Sequence, residues 1–107
     1  MKPASMELNR LMEYIEKMKK TRGFDCTTLE QEFLLFSEEV GEVANALWQI
    51  IRAGDAADED MRNTLGFEIV DCLIYLLSIA NMAGIDDIET MLLKKEEINT
   101  RRFETPD

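Results

Sequence analysis

"TLGFEIVDCLIYLLSIANMAG", residues Thr64 to Gly84, is an apolar run interrupted by two acids. Glu68 and Asp71 are the only charged residues between Arg62 and Asp86. At about 100° per residue, Glu68, Asp71, Tyr75 and Ser78 fall on one stripe of a helix whose remaining surface is apolar except for Asn81. A helix apolar on all sides is a central helix, and its polar stripe must face something other than hydrocarbon. The spacing predicts a buried helix that ends at Gly84.

The flanking segments also read as helices. Ser5 is a candidate N-cap for a first helix bearing Leu8, Leu11, Met12, Ile15 and Met18 at helical spacing. Lys19, Lys20 and Arg22 favour the C-terminal end of its dipole, and Gly23 can stop it. Thr28 with Gln31, or Thr27 with Glu30, offers a capping box for a second helix reaching about Arg52, before Gly54. The acidic turn "GDAADED" leads into the third helix. Asp86 with Glu89 can cap a fourth, which fades near Phe103. Pro3 and Pro106 lie outside all four spans. No period-2 pattern, linker or repeat competes, so the expectation is an all-α, four-helix bundle forming a single domain over residues 1–107.

Composition narrows the function. The 107 residues are 46% hydrophobic, enough for a small core and against intrinsic disorder. Asp plus Glu number 22 against 12 Lys plus Arg, a formal net charge of −10. That balance opposes phosphate-backbone binding and attraction to anionic lipid, so neither nucleic acid nor membrane is an expected partner. The absence of histidine excludes a Ser-His-Asp triad, a His-bearing zinc site and Glu-x-x-His di-iron chemistry. Cys26 and Cys72 lack CxxC spacing. Cys72 reads as a small buried hydrophobe, and reduced thiols fit a cytoplasmic chain. No signal peptide is visible, and the apolar segment Cys72 to Ile85 falls short of the ~20 residues of a spanning helix. A soluble protein is expected.

The second helix supplies what the polar stripe could face. In "FLLFSEEVGEVANALWQII", Phe33, Phe36, Val40, Val43, Leu47 and Ile51 form the expected core face. Glu39 falls on its shoulder, Glu42 lies one turn further round, and Glu38 lies nearer solvent. Each helix thus presents an acid pair at i and i+3, on a shared face. Two like charges ~5 Å apart at an effective dielectric of ~20 repel by about 3 kcal/mol. Either carboxyl pKa values rise or a cation sits among them. Oxygen-only ligands point to a hard ion, Mg²⁺ or Mn²⁺, whose chemistry suits attack of water on a phosphoanhydride.

"EEVGEV" (Glu38 to Val43) followed by "EIVD" (Glu68 to Asp71) resembles the EExxE…ExxD signature of the MazG-like, all-α nucleoside triphosphate pyrophosphohydrolases. The tail "KKEEINTRRF" is similar to the Lys-x-x-x-Asn-x-x-Arg-aromatic pattern of the dCTP pyrophosphatase branch. The resemblance implies Mg²⁺-dependent hydrolysis of a nucleoside triphosphate between its α and β phosphates. It implies metal ligation by Glu39, Glu42, Glu68 and Asp71, and phosphate contacts from Lys95, Asn99 and Arg102. Glu38 would be the base for the attacking water, and Glu39, a metal ligand, counts with it as a catalytic residue. Tyr75 matches an aromatic position beside the nucleotide. Relatives carry a tryptophan one residue after the position of Trp48, where this chain has Gln49. Trp48 and Phe24 are candidates to cover a base, with a pyrimidine deoxynucleotide such as dCTP as the expected substrate.

Gly41 and Gly66 lie within helices, at a propensity cost of about 1 kcal/mol each. Close approach of another helix, from this chain or a second subunit, would account for them. The resemblance implies a homo-oligomer, a dimer or a dimer of dimers, that completes the bundle. Two alternatives differ in class: a non-catalytic helical oligomerisation protein of the same fold, and a hydrolase of another nucleotide, such as an alarmone.

Overall fold

The computed structural model describes residues 4–104, with side chains from residue 7 onward. Four helices follow in order: α1 (Ala4–Arg22), α2 (Leu29–Ala53), α3 (Glu59–Met82) and α4 (Ile88–Glu104), with a 3-10 turn at Gly54–Ala56. No strand occurs among the described residues. The chain is all-α, as its periodicity implies. Pro3 and Pro106 lie outside the described residues.

The helix ends show which local signals prevailed. The capping box on α2 is the Thr28–Gln31 one: Thr28 Oγ1 accepts from the Gln31 N–H at 3.1 Å, and Gln31 Oε1 accepts from the Thr28 N–H at 2.9 Å. Thr27 is otherwise engaged, donating to Glu32 Oε1 at 2.9 Å. Asp87, not Asp86, caps α4, accepting from the Thr90 N–H at 3.1 Å and from its hydroxyl at 2.7 Å. The Thr90 hydroxyl, then the Asn9 amide and the Thr90 N–H, hold the Asp87 carboxyl below its usual range. Helix α1 begins at Ala4, so Ser5 lies inside the first turn rather than at the cap. Gly23 at φ 76° and Gly84 at φ 84° stop α1 and α3 in the left-handed region.

Helices α2 and α3 pack along each other as an antiparallel hairpin. Every buried or half-buried residue of α2 lies within about 60° of Glu39 on the wheel, Glu32, Leu35, Val43 and Ala46 among them. Glu39 therefore sits at the middle of the seam, not on its shoulder. On α3 the half-buried residues Met61, Leu65, Glu68, Cys72, Tyr75 and Ile79 recur at spacings of four and three, the period of a helix-helix seam. The other buried side of α3 meets α1, where Met12, Ile15, Leu77 and Ala80 form the core, with Leu11, Ile74 and Ile88 packed against it. Asn81 Nδ2 donates to the Met12 carbonyl at 2.9 Å, and buried Glu89 accepts from the Asn9 N–H at 2.8 Å, pinning α4 to α1.

The expected core face of α2 is not a core within one chain. Phe33 (57% exposed), Val40, Leu47 and Ile51 are open to solvent, and Phe36 and Val43 are only half-buried. Nor is α3 enclosed: Phe67 is 71% exposed, and Val70 and Leu76 are exposed too. The physical reason is that one helical hairpin has one seam. Its outer sides need a second layer, and α4 turns to α1 instead of supplying it. The radius of gyration is 17.0 Å, against about 13 Å for a compact domain of this length. A Cβ at Gly41 or Gly66 meets nothing within 4 Å, so no close helix approach among the described residues accounts for either glycine.

By length and composition α3 is apolar enough to cross a bilayer, a longer stretch than the expected Cys72–Ile85 segment. Midway along it, however, Glu68 and Asp71 face another acid across the hairpin. Acids there fit a packed helical assembly better than a lipid-exposed span.

Candidate functional site

Glu39 of α2 and Glu68 and Asp71 of α3 each offer a carboxylate oxygen, and these oxygens lie within 4.8 Å of one another. Glu39 and Glu68 are half-buried and Asp71 is exposed, so the group opens from the seam to solvent. Burial, a side-chain hydrogen bond with Glu68, and the negative charges of Asp71, Glu68 and Glu42 all push the Glu39 carboxyl upward. Among the described residues no lysine or arginine pairs with any of the three.

The cluster stands at one end of a 410 Å³ cleft. Asp71, Tyr75 and Ser78, three members of the polar stripe, line it together with Glu39 from α2. The end of α1 and the following loop form the opposite wall, through Met18, Lys19, Arg22 and Phe24. Burial, then the charges of Glu39, Glu32, Asp71 and Glu38, raises the Tyr75 phenol. The Cys72 thiol is raised by burial and then by Glu39, Asp71 and Glu68. It is half-buried and unbonded, and Cys26 is free and exposed.

The other expected site residues fall elsewhere. Glu42 is exposed and lines a separate 200 Å³ cleft with Glu68, Asn45, Gln49 and Thr64. It acts on Glu39 through its charge rather than by joining the close group. Glu38 is exposed and lines neither cleft, and neither does Trp48, which is half out of the fold. Lys95, Asn99 and Arg102 lie on α4, away from the cleft wall, with the Arg102 guanidinium 5.0 Å from the Phe103 ring. None of the three lines either cleft.

Sequence reasoning missed Lys19 and Glu32. Glu32 is 3% exposed, and Lys19 Nζ lies 3.4 Å from its Oε2. The signal was present: Glu32 precedes Glu39 by seven residues and Ala46 follows by seven, a repeat that marks one helix face. Bulky side chains elsewhere on the wheel hid it. Comparison with protein-family models, curated proteins and solved structures finds no match for this chain.

Proposed function

We propose that the chain is a divalent-metal-dependent nucleoside triphosphate pyrophosphohydrolase that removes unwanted nucleotides, acting at the acid end of the cleft. The observation that carries this reading is the meeting of Glu39, Glu68 and Asp71 within 4.8 Å, with no lysine or arginine paired to them among the described residues. An all-oxygen donor set suits Mg²⁺, or Mn²⁺ in its place. These three residues would hold the ion, with Glu42 adding negative charge from the adjacent cleft. Bound there, it would polarise a phosphoryl oxygen and acidify the attacking water.

The protein's own groups supply the remainder. Glu38, exposed beside Glu39, would take the proton from that water. The new bond forms between water oxygen and the α phosphorus, and the bond from that phosphorus to the β-phosphate bridging oxygen breaks. Phe24 and Tyr75 flank the space left for the nucleoside. Incubation of the protein with dCTP and Mg²⁺ is expected to give monophosphate and pyrophosphate by phosphorus NMR. Orthophosphate as the primary product would place attack at the γ phosphorus and defeat the assignment.

One observation favours a second reading, a non-catalytic helical assembly protein: the wide exposed apolar surface of α2 and α3. Self-association belongs to both readings. The protein is expected to sediment as a dimer or larger at micromolar concentration. Phe67→Glu, placing a charge on an exposed apolar face, should release monomer. A wild-type monomer at tens of micromolar would refute it.

A further inference from the structure

Beyond the acid cluster, the cleft has a polar floor with no task in hydrolysis. Lys19 Nζ donates to Ser78 Oγ at 2.7 Å, pairs with Glu32 Oε2 at 3.4 Å and lies 3.5 Å from Met82 Sδ. An ammonium has three protons and no lone pair, so Lys19 is saturated. Glu32 differs. Its Oε1 accepts from Thr27 at 2.9 Å, and a carboxylate has about four acceptor positions, so lone pairs remain.

Ser78 carries the complementary feature. It is 1% exposed, its oxygen accepts from Lys19, and its hydroxyl proton has no acceptor among the described residues. Ser37 and Thr64, also within helices, donate back to the carbonyl four residues earlier; Ser78 does not. The floor therefore offers an acceptor and a donor bridged by one saturated ammonium. Leu35 and Ile74 flank it with apolar surface, and Phe24 and Tyr75 with aromatic surface.

We propose that Glu32 and Ser78 read the edge of a nucleobase at this end of the cleft, selecting an exocyclic amino donor beside a ring-nitrogen acceptor. The proposal rests on the nucleotide reading of the acid cluster. Cytosine and adenine present that edge. At the same two positions, with the register set by a sugar and phosphates held at the acid cluster, uracil and thymine present the reverse, a carbonyl beside an N–H. Their carbonyl would meet the Glu32 lone pairs, leaving buried polar groups unpaired on both sides. Lys19 is a positioning residue, holding the acceptor on α2 and the donor on α3 at one spacing.

The test is calorimetric titration with dCMP and dUMP in EDTA, which needs neither metal nor turnover. Wild type should bind dCMP at least tenfold more tightly than dUMP. Glu32→Gln and Ser78→Ala should each bring that ratio within about threefold, while the Mg²⁺-induced rise in melting temperature stays at its wild-type size. Ser78→Ala deletes one oxygen, so the test stands even where Glu32→Gln fails to fold. Equal binding of the two nucleotides, binding of neither, or a wild-type ratio in Ser78→Ala overturns the proposal. A pyrophosphate-release assay run in parallel separates the two levels. Discrimination without release from any triphosphate keeps the base-reading floor and removes the hydrolase.

Discussion

Asp71→Asn should abolish turnover, by a factor of about 10³ or more, yet melt at or above the wild-type temperature when metal is absent. Loss of a metal ligand removes several kcal/mol of transition-state stabilisation, and each 1.36 kcal/mol is about tenfold in rate. Stability moves the other way because the metal-free fold holds Glu39, Glu68 and Asp71 together with no ion-pair partner among the described residues. Asn nearly keeps the shape and removes one of those charges. The pH dependence has the same origin. The Glu39 carboxyl is raised in the folded state, so the native protein holds that proton more tightly than the unfolded chain does. Its contribution is therefore present at low pH and lost as pH rises through the raised value. Without metal, wild-type stability should fall across that window. Asp71→Asn should flatten the fall, because the Asp71 charge is one cause of the Glu39 shift. Added Mg²⁺ should raise the wild-type midpoint by binding the native state, and raise the variant's far less. Melts in EDTA and in Mg²⁺ at two pH values separate this from a structural role. A variant less stable in EDTA and still active would sink the metal reading.

The polar stripe on α3 was legible because two acids in an apolar run have few structural explanations. Asp71, Tyr75 and Ser78 do line one cleft, and Glu68 stands beside them in the acid cluster. The orientation of α2 was harder to read. Its bulky residues suggested a core face through Phe33, Val40, Leu47 and Ile51, whereas the helix turns Glu32, Glu39 and Ala46 toward α3. An apolar wheel reports which side avoids water, not which neighbour covers it. On α2 the larger apolar side stays largely exposed among the described residues. The placement of α4 escaped the sequence for a related reason. Asn9, Asp87 and Glu89 decide it through hydrogen bonds between partners 78 or 80 positions apart, which no local spacing reveals.

Lys19→Met should destabilise the fold by about 3 kcal/mol, the loss expected when one partner of a buried ion pair is removed. The pair is enclosed, with side-chain exposures of 14% for Lys19 and 4% for Glu32. Methionine fills most of the lysine stem's volume, so the loss is chiefly electrostatic. It would leave the Glu32 carboxylate with the Thr27 hydroxyl alone and deprive Ser78 of its donor. At roughly 4–8 °C per kcal/mol for a domain of this size, the midpoint should drop by about 15 °C. The effect is large because Lys19 carries the one ion pair tying α1 to α2 among the described residues, and the same ammonium reaches α3 through Ser78. The double variant Lys19→Met/Glu32→Leu should recover most of the loss, since an apolar pair of similar volume removes the stranded charge. Denaturant unfolding of the two single variants and the double one measures that coupling. A Lys19→Met protein within about 0.5 kcal/mol of wild type, inside the range of ordinary surface substitutions, would show that the Lys19–Glu32 pair does not hold α1 in place.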